Sequence, residues 1–287
     1  MTKAIIELDN ISVTYPNGHS ALSDVSVRLS TGIICGLIGV NGSGKSTLFK
    51  SMMGFITPTS GKVMINGEGV KKALRKNTVS YVPQTEDVDW NFPVLVEDVV
   101  MMGRYSHMGF LRIPSKKDKE AVDEALKRVD MIEYKTRQIG ELSGGQKKRV
   151  FVARALAQGG DIILLDEPFT GIDTKTEESL ITLFKLLSKE GRLIVVSTHN
   201  LGSVPSFCDE VILINNTILA YGTVENAFTE QNLSKAFGGM LRHQHIVAKD
   251  IHTDKDKRSV TVLTDDERPL VLYGDKKRQD IVKPEPE

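Results

Sequence analysis

The sequence has little that would suit it to an oxidising compartment or to the interior of a bilayer. Its 287 residues include 2 cysteines, Cys35 and Cys208, both inside apolar segments and neither with a C-x-x-C partner. That spacing argues against a disulfide framework and against a thiolate metal site, and buried free thiols in a reducing environment are expected. An excess of one charge is also missing: Lys plus Arg and Asp plus Glu number 37 each. Without a basic field, bulk attraction to nucleic acid or anionic lipid is not expected. No apolar run reaches the ~18 residues that a bilayer span needs. The opening residues, MTKAIIELDN, lack the apolar core of a secretory signal. Any membrane role must come through a partner.

What is present is an ordinary globular composition, 40% hydrophobic and 26% charged, with alternating strand and helix patterns. Residues 3–15 and 24–30 alternate as half-buried strands do, with Asn17-Gly18 as a turn between them. A helix is expected from about Lys45 to Met53, capped by Gly54. Short strands follow at 62–66 and 79–82, the latter stopped by Pro83. From Phe92 to Gln158 the pattern is helical. One candidate is 96–104. A stronger one is 115–130, with Ser115 and Asp118 as a capping pair and Ala121, Val122, Ala125, Leu126 and Val129 on one face. A fully apolar strand returns at 162–165, a helix is expected near 176–189, and buried strands follow at 193–197 and 211–214. This alternation predicts an α/β fold with a parallel sheet and a helical lobe, 92–158, inserted into it. Beyond residue 240 the pattern thins. Segments 260–263 and 270–273 are expected to pair as a small hairpin, and the last residues, DKKRQDIVKPEPE, to be disordered.

Three motifs carry chemistry. Gly39 to Thr47 reads GVNGSGKST after an apolar strand, the phosphate-binding loop G-x-x-x-x-G-K-[ST] in a strand–loop–helix setting. Gly39, Gly42 and Gly44 let the backbone approach a phosphate, with Asn41 and Ser43 between them. Lys45 adds a point charge, the Ser46 hydroxyl is placed for Mg²⁺, and Thr47 closes the motif. In Leu164-Leu165-Asp166-Glu167-Pro168, Asp166 has the position to hold Mg²⁺ through water. Glu167, kept extended by Pro168, is expected to act as general base on the attacking water. In Leu142-Ser143-Gly144-Gly145-Gln146, Ser143 and Gln146 fit a capping box. Capping does not explain two glycines that cost ~1 kcal/mol each in a helix. A close-approaching phosphate or backbone does.

These motifs, in this order, resemble those of ATP-binding-cassette (ABC) ATPases over roughly residues 3–240. The resemblance implies a P-loop NTPase core of RecA-like type with an antiparallel β subdomain, the helical lobe, and a charged extension at 241–287. It implies that Tyr15 stacks on adenine, that Gln84 touches Mg²⁺ and senses the γ-phosphate, and that His199 contacts the γ-phosphate. It implies that Asp173 belongs to the nucleotide site. Ser143, Gly144, Gly145 and Gln146 would face the ATP held by a second copy, so that ATP joins two copies head to tail and its hydrolysis parts them. Val40 stands where many relatives carry Pro.

Two uses of such a cassette compete: the motor of a membrane transporter, or a soluble ATPase acting on DNA repair or the ribosome. A non-hydrolysing scaffold is a third, opposed by Glu167 and His199. One cassette, a compact lobe and neutral charge favour transport. The stretch TEDVDWNFPVLVEDVVMMGRY resembles the ATPases of bacterial manganese, zinc or iron importers, as does AFGGMLRH at 236–243. That resemblance implies a separate permease docking near Gln84–Pro93, with Trp90 and Phe92 as anchors. It also implies an extracytoplasmic solute-binding protein, no nucleic acid, and a place at the cytoplasmic face of the cell membrane. His243, His245 and His252 suggest a metal-sensing tail, but solvated histidines are the plainer reading.

Overall fold

The computed structural model describes residues 4–84, 92–238, 242–247, 259–264 and 270–274. A four-stranded antiparallel sheet opens the chain, in the order β2-β1-β4-β5: β1 is Ala4–Thr14, β2 Ser20–Ser30, β4 Ser60–Ile65 and β5 Glu68–Gly69. The main sheet has the order β10-β9-β3-β8-β7-β6. Its strands are β3 (Ile34–Ile38), β6 (Val79–Val82), β7 (Ile162–Asp166), β8 (Leu193–Thr198), β9 (Glu210–Asn215) and β10 (Thr217–Thr223). All neighbours are parallel except the edge pair β9–β10.

The apolar strands of this sheet serve two layers. Cys35, Leu164, Val195 and Ile212 point into a core shared with the antiparallel sheet and helix α1 (Lys45–Met52). Their neighbours Ile34, Ile163, Ile194 and Val211 point into a second core on the opposite face. A strand covered on both sides has no polar face to alternate with, which is why its sequence reads as one hydrophobic run. Each such side chain contributes ~1.5–3 kcal/mol of burial. Helix α2 (Val70–Arg75) follows β5, and α6 (Thr174–Lys189) packs on the second core through Leu180, Phe184 and Leu187.

The lobe holds α3 (Val96–Met101), a 3₁₀ segment Met102–His107, α4 (Lys116–Arg128) and α5 (Gly144–Gln158). The expected helix over 96–104 thus changes pitch at Met102. There the chain runs hard against α5: a Cβ on Gly103 would stand 2.2 Å from the Arg154 carbonyl oxygen. Val122, Ala125, Leu126 and Val129 are buried as expected. Arg128 at the end of α4 grips Glu190 at the end of α6 with two hydrogen bonds, 2.9 and 2.8 Å, tying lobe to core.

The capping pair is present. Asp118 Oδ2 accepts from the Ser115 amide at 2.9 Å and from the Ser115 hydroxyl at 2.6 Å, and Asp118 Oδ1 accepts from Arg104 Nε at 3.0 Å. The Ser115 bonds, then the Arg104 charge, hold this carboxyl down at about 2 from an ordinary 3.8. A folded-state value below the unfolded one stabilises above the unfolded pKa and is lost as pH falls through the folded one. Asp118→Asn should therefore melt earlier than wild type at neutral pH. The gap in melting temperature should close between about pH 4 and pH 2. A gap that stays constant across that range would contradict the assignment.

Helices α7 (Val204–Phe207), α8 (Val224–Ala227) and α9 (Glu230–Phe237) complete the core. The expected hairpin is present as β12 (Ser259–Thr264) against β13 (Leu270–Gly274), with Val260 opposite Tyr273. A third strand, β11 (Arg242–Val247), pairs with β12 and was not expected from the sequence. His243 and His245 lie on it, while His252 and the tail beyond Gly274 fall outside the described residues. No cluster of His, Cys, Asp or Glu suited to a metal occurs among the described residues, and no helix among them is long and apolar enough to cross a membrane.

Candidate nucleotide site

The first element is the turn between β3 and α1. A Cβ on Gly39 would stand 2.2 Å from the Ile214 carbonyl oxygen, and one on Gly44 (φ 100°) would stand 2.7 Å from that of Ala21. Only glycine lets the loop pass between these neighbours. Asn41 and Gly42 lie exposed at the mouth, whereas Ser43, Lys45 and Thr47 are buried and Ser46 is half-buried. Two features fit an oxyanion here. The Ser43 hydroxyl is buried without a hydrogen-bond partner. The Lys45 ammonium, 6% exposed, is folded onto the loop, donating to the Gly39 carbonyl at 2.7 Å and the Val40 carbonyl at 3.1 Å. Burial pushes the Lys45 pKa down, and the carboxylates of Glu167 and Asp166 pull it back. Tyr15, just beyond β1, is tied to the same helix by a 3.0 Å hydrogen bond between its hydroxyl and that of Thr47.

The second element is the end of β7. Asp166 is buried, its Oδ1 accepting from the Ser197 hydroxyl at 2.5 Å and its Oδ2 from the Tyr81 hydroxyl at 3.4 Å. Glu167 is not extended as expected. Its φ is 48°, in the left-handed region. The preference imposed by Pro168 is overridden because the Glu167 amide must reach Ser197, donating to its hydroxyl at 2.9 Å and its carbonyl at 3.2 Å. The turn aims the carboxylate into a ring of donors. Gln84 Nε2 donates to Oε2 at 2.7 Å, Thr170 donates to the same oxygen at 3.3 Å, and His199 Nδ1 stands 3.3 Å from Oε1. His199 chiefly, with Lys45 adding its charge, outweighs burial and lowers the Glu167 pKa. A cavity of about 230 Å³ opens beside this group, lined by Glu167, His199, Glu177, Thr198 and Asn200 among others.

The structure thus brings together Lys45, Gln84, Asp166, Glu167 and His199 from three separate strand ends and the loop. Ser143–Gln146 do not join them. The α5 N-terminus sits against the loop leading into α6, with a Cβ at Gly145 3.3 Å from Thr176 Oγ1 and one at Gly144 3.8 Å from the Gly171 carbonyl oxygen. Ser143 and Gly144 are exposed. The Gln146 side chain is used in the capping box, accepting from the Ser143 amide at 2.9 Å. Asp173 caps α6, accepting from the Thr176 amide at 2.9 Å and hydroxyl at 2.7 Å. Sequence reasoning missed Tyr81, Thr170 and Ser197. Ser197 was within reach, since it pairs with Asp166 in the parallel register of the two neighbouring strands.

Between core and lobe lies a groove of about 660 Å³, lined by Phe55, Tyr81, Pro83, Met102, Arg112 and Arg154 among others. Phe92 is 64% exposed. Trp90, with the rest of 85–91, lies outside the described residues.

A family model described as "ABC transporter" matches residues 22–170. The chain is 62% identical over 267 residues to the chelated iron transport system membrane protein YfeB of Yersinia pestis, covering 93% of this chain and 90% of that one. It is 56% identical over 240 residues to the manganese transport system ATP-binding protein MntA of a Synechocystis strain, covering 84% and 92%. Among solved structures, an inward-facing metal-chelate type ABC transporter aligns with a TM-score of 0.75 at 26% identity, covering 93% and 98%. A dimeric ATP-binding cassette in a post-hydrolysis state, bound to ADP and Pi, aligns with a TM-score of 0.66 at 28% identity, covering 77% and 99%.

Proposed function

The chain belongs to the ABC transporter family, and on that footing we propose that it is the ATP-hydrolysing subunit of an importer for a divalent metal: manganese, zinc or iron. The observation that carries the hydrolytic part is the Glu167 carboxylate, held between Gln84 and His199 next to the lysine of a phosphate loop. Lys45 and the loop amides bind the β- and γ-phosphates. Tyr15, braced by Thr47, offers its ring to the base. Glu167 takes the proton of the attacking water, and the amide of Gln84 and ring of His199 orient both. The residues also fit magnesium: Ser46, Gln84 and Asp166 form a hard, all-oxygen donor set. Bound there, the ion would offset phosphate charge.

The exposed α5 N-terminus, with Ser143, Gly144 and Gly145, is the part of the nucleotide site that a second copy supplies. Gln146 and Asp173 shape the two helix ends at that seam. The dimeric relative supports this reading. A helix of a separate permease fits the groove between core and lobe. The groove includes Pro83, which adjoins the expected 84–93 stretch, so the two readings of the docking surface are neighbours in the chain; residues 85–91 of that stretch lie outside the described residues. Through the permease the chain would sit at the cytoplasmic face of the membrane, with a solute-binding protein delivering cargo on the other side.

Reconstitution with its partner permease, in proteoliposomes, tests the reading. ATP-driven uptake of Mn²⁺, Zn²⁺ or iron is expected. Sustained ATP hydrolysis with uptake of none of the three would reject the cargo and leave the ATPase standing.

A further inference from the structure

Lys148 has no part in the chemistry derived so far. It lies on α5, one turn beyond the Gly144-Gly145 pair, and is half-buried. Its Nζ donates to the Gln84 carbonyl oxygen at 2.7 Å, across 64 residues of sequence. Gln84 is where the chain leaves β6 for the lobe, and its own side chain holds Glu167 Oε2 at 2.7 Å. Two bonds therefore connect the helix whose tip is offered to a partner with the base of this chain's own site: Lys148 to the Gln84 backbone, and the Gln84 amide to Glu167.

From this geometry we infer that Lys148 is a positioning residue, which makes the placement of Gln84 against Glu167 depend on where the α5 helix stands. The inference rests on the head-to-tail reading of the nucleotide site. A charge-assisted bond of this kind is short and directional. The backbone it holds carries the amide that orients the base, so a displacement of α5 moves Gln84 with it. In a dimer, α5 is drawn toward the ATP of the neighbouring copy. Occupation of one site then sets the geometry of the other, which is a coupling between two sites through a contiguous chain of contacts. An apolar residue of similar length at 148 would leave the helix in place and cut the tie. Two other contacts keep α5 docked without Lys148: Arg104 Nη1 donates to the Ala157 carbonyl at 2.9 Å, and Gln158 Nε2 donates to that of Val79 at 2.9 Å.

The test is steady-state ATP hydrolysis by the full chain with Mg²⁺, comparing wild type, Lys148→Met and Lys148→Arg. For Lys148→Met, kcat should fall about tenfold with the KM for ATP within about twofold of wild type, since the lost contact acts on the base and not on nucleotide binding. Its Hill coefficient should drop from near ~2 toward ~1. Its melting temperature should match wild type, and Lys148→Arg should recover most of the rate. Wild-type kcat and Hill coefficient in Lys148→Met would overturn the inference. So would a fall in melting temperature that accounts for the lost rate. Should the Met variant fail to fold, Lys148→Gln is read by the same criteria. A wild type that stays single in ATP, with a coefficient near ~1, rejects the head-to-tail reading. In that case a tenfold kcat loss in Lys148→Met would still support the tie within the chain.

Discussion

Glu167→Gln will bind ATP, pair, and all but stop turning over, with kcat lower by ~10²-fold or more. The substitution keeps the shape of the side chain. Its carbonyl oxygen can still accept from Gln84 or Thr170, whose bonds to Glu167 are 2.7 and 3.3 Å. What disappears is the ability to take a proton. The size of the effect follows from the electrostatics. His199 and Lys45 lower the Glu167 pKa, so the base is ionised throughout neutral pH, though intrinsically weak. Much of the acceleration must then come from positioning and charge, which places the loss nearer the low end of the range for a general base. The same shift has a pH consequence. Any acid limb of the rate above pH 5 belongs to a group other than Glu167. Initial-rate assays and size-exclusion chromatography with ATP and Mg²⁺ check this: a dimer that persists for hours is expected. A variant that stays single and hydrolyses ATP at the wild-type rate would remove Glu167 from the base role.

Lys45→Ala should weaken ATP binding by roughly two orders of magnitude, the value of a charge-assisted contact to phosphate in a water-poor pocket. The Lys45 side chain is buried, so its ammonium is already stripped of most of its water and is ready to exchange loop carbonyls for phosphate oxygens. Removing it also leaves the Gly39 and Val40 carbonyls without that donor, so stability must be read alongside affinity. Calorimetric titration with ATP gives the affinity and thermal melting gives the stability. Unchanged affinity would take the phosphate loop out of the account.

The parts legible in the sequence were those set by contiguous residues. The phosphate loop, the Ser143 capping box and the apolar strands each lie within a dozen positions, and each is where the pattern put it. What was not legible depends on distant pairs. The bend at Glu167 follows from Ser197, 30 residues away, against the local preference set by Pro168. The Gln84–Glu167 bond spans 83 residues. The groove between core and lobe is built from Phe55, Tyr81, Met102 and Arg154, which no window joins. Strand β10 was missed because its side chains are only partly covered, so neither alternation nor a full apolar run marks it.

The left-handed turn at Glu167 bears on how durable this protein can be. A non-glycine residue held there costs about 1–2 kcal/mol, and a following proline narrows the options further. Glycine would sit at 167 without that cost, yet it has no carboxylate to present. Position 167 is therefore one where thermal endurance and turnover pull in opposite directions, and the chain carries glutamate, accepting a looser hold on its native state at the residue it can least exchange.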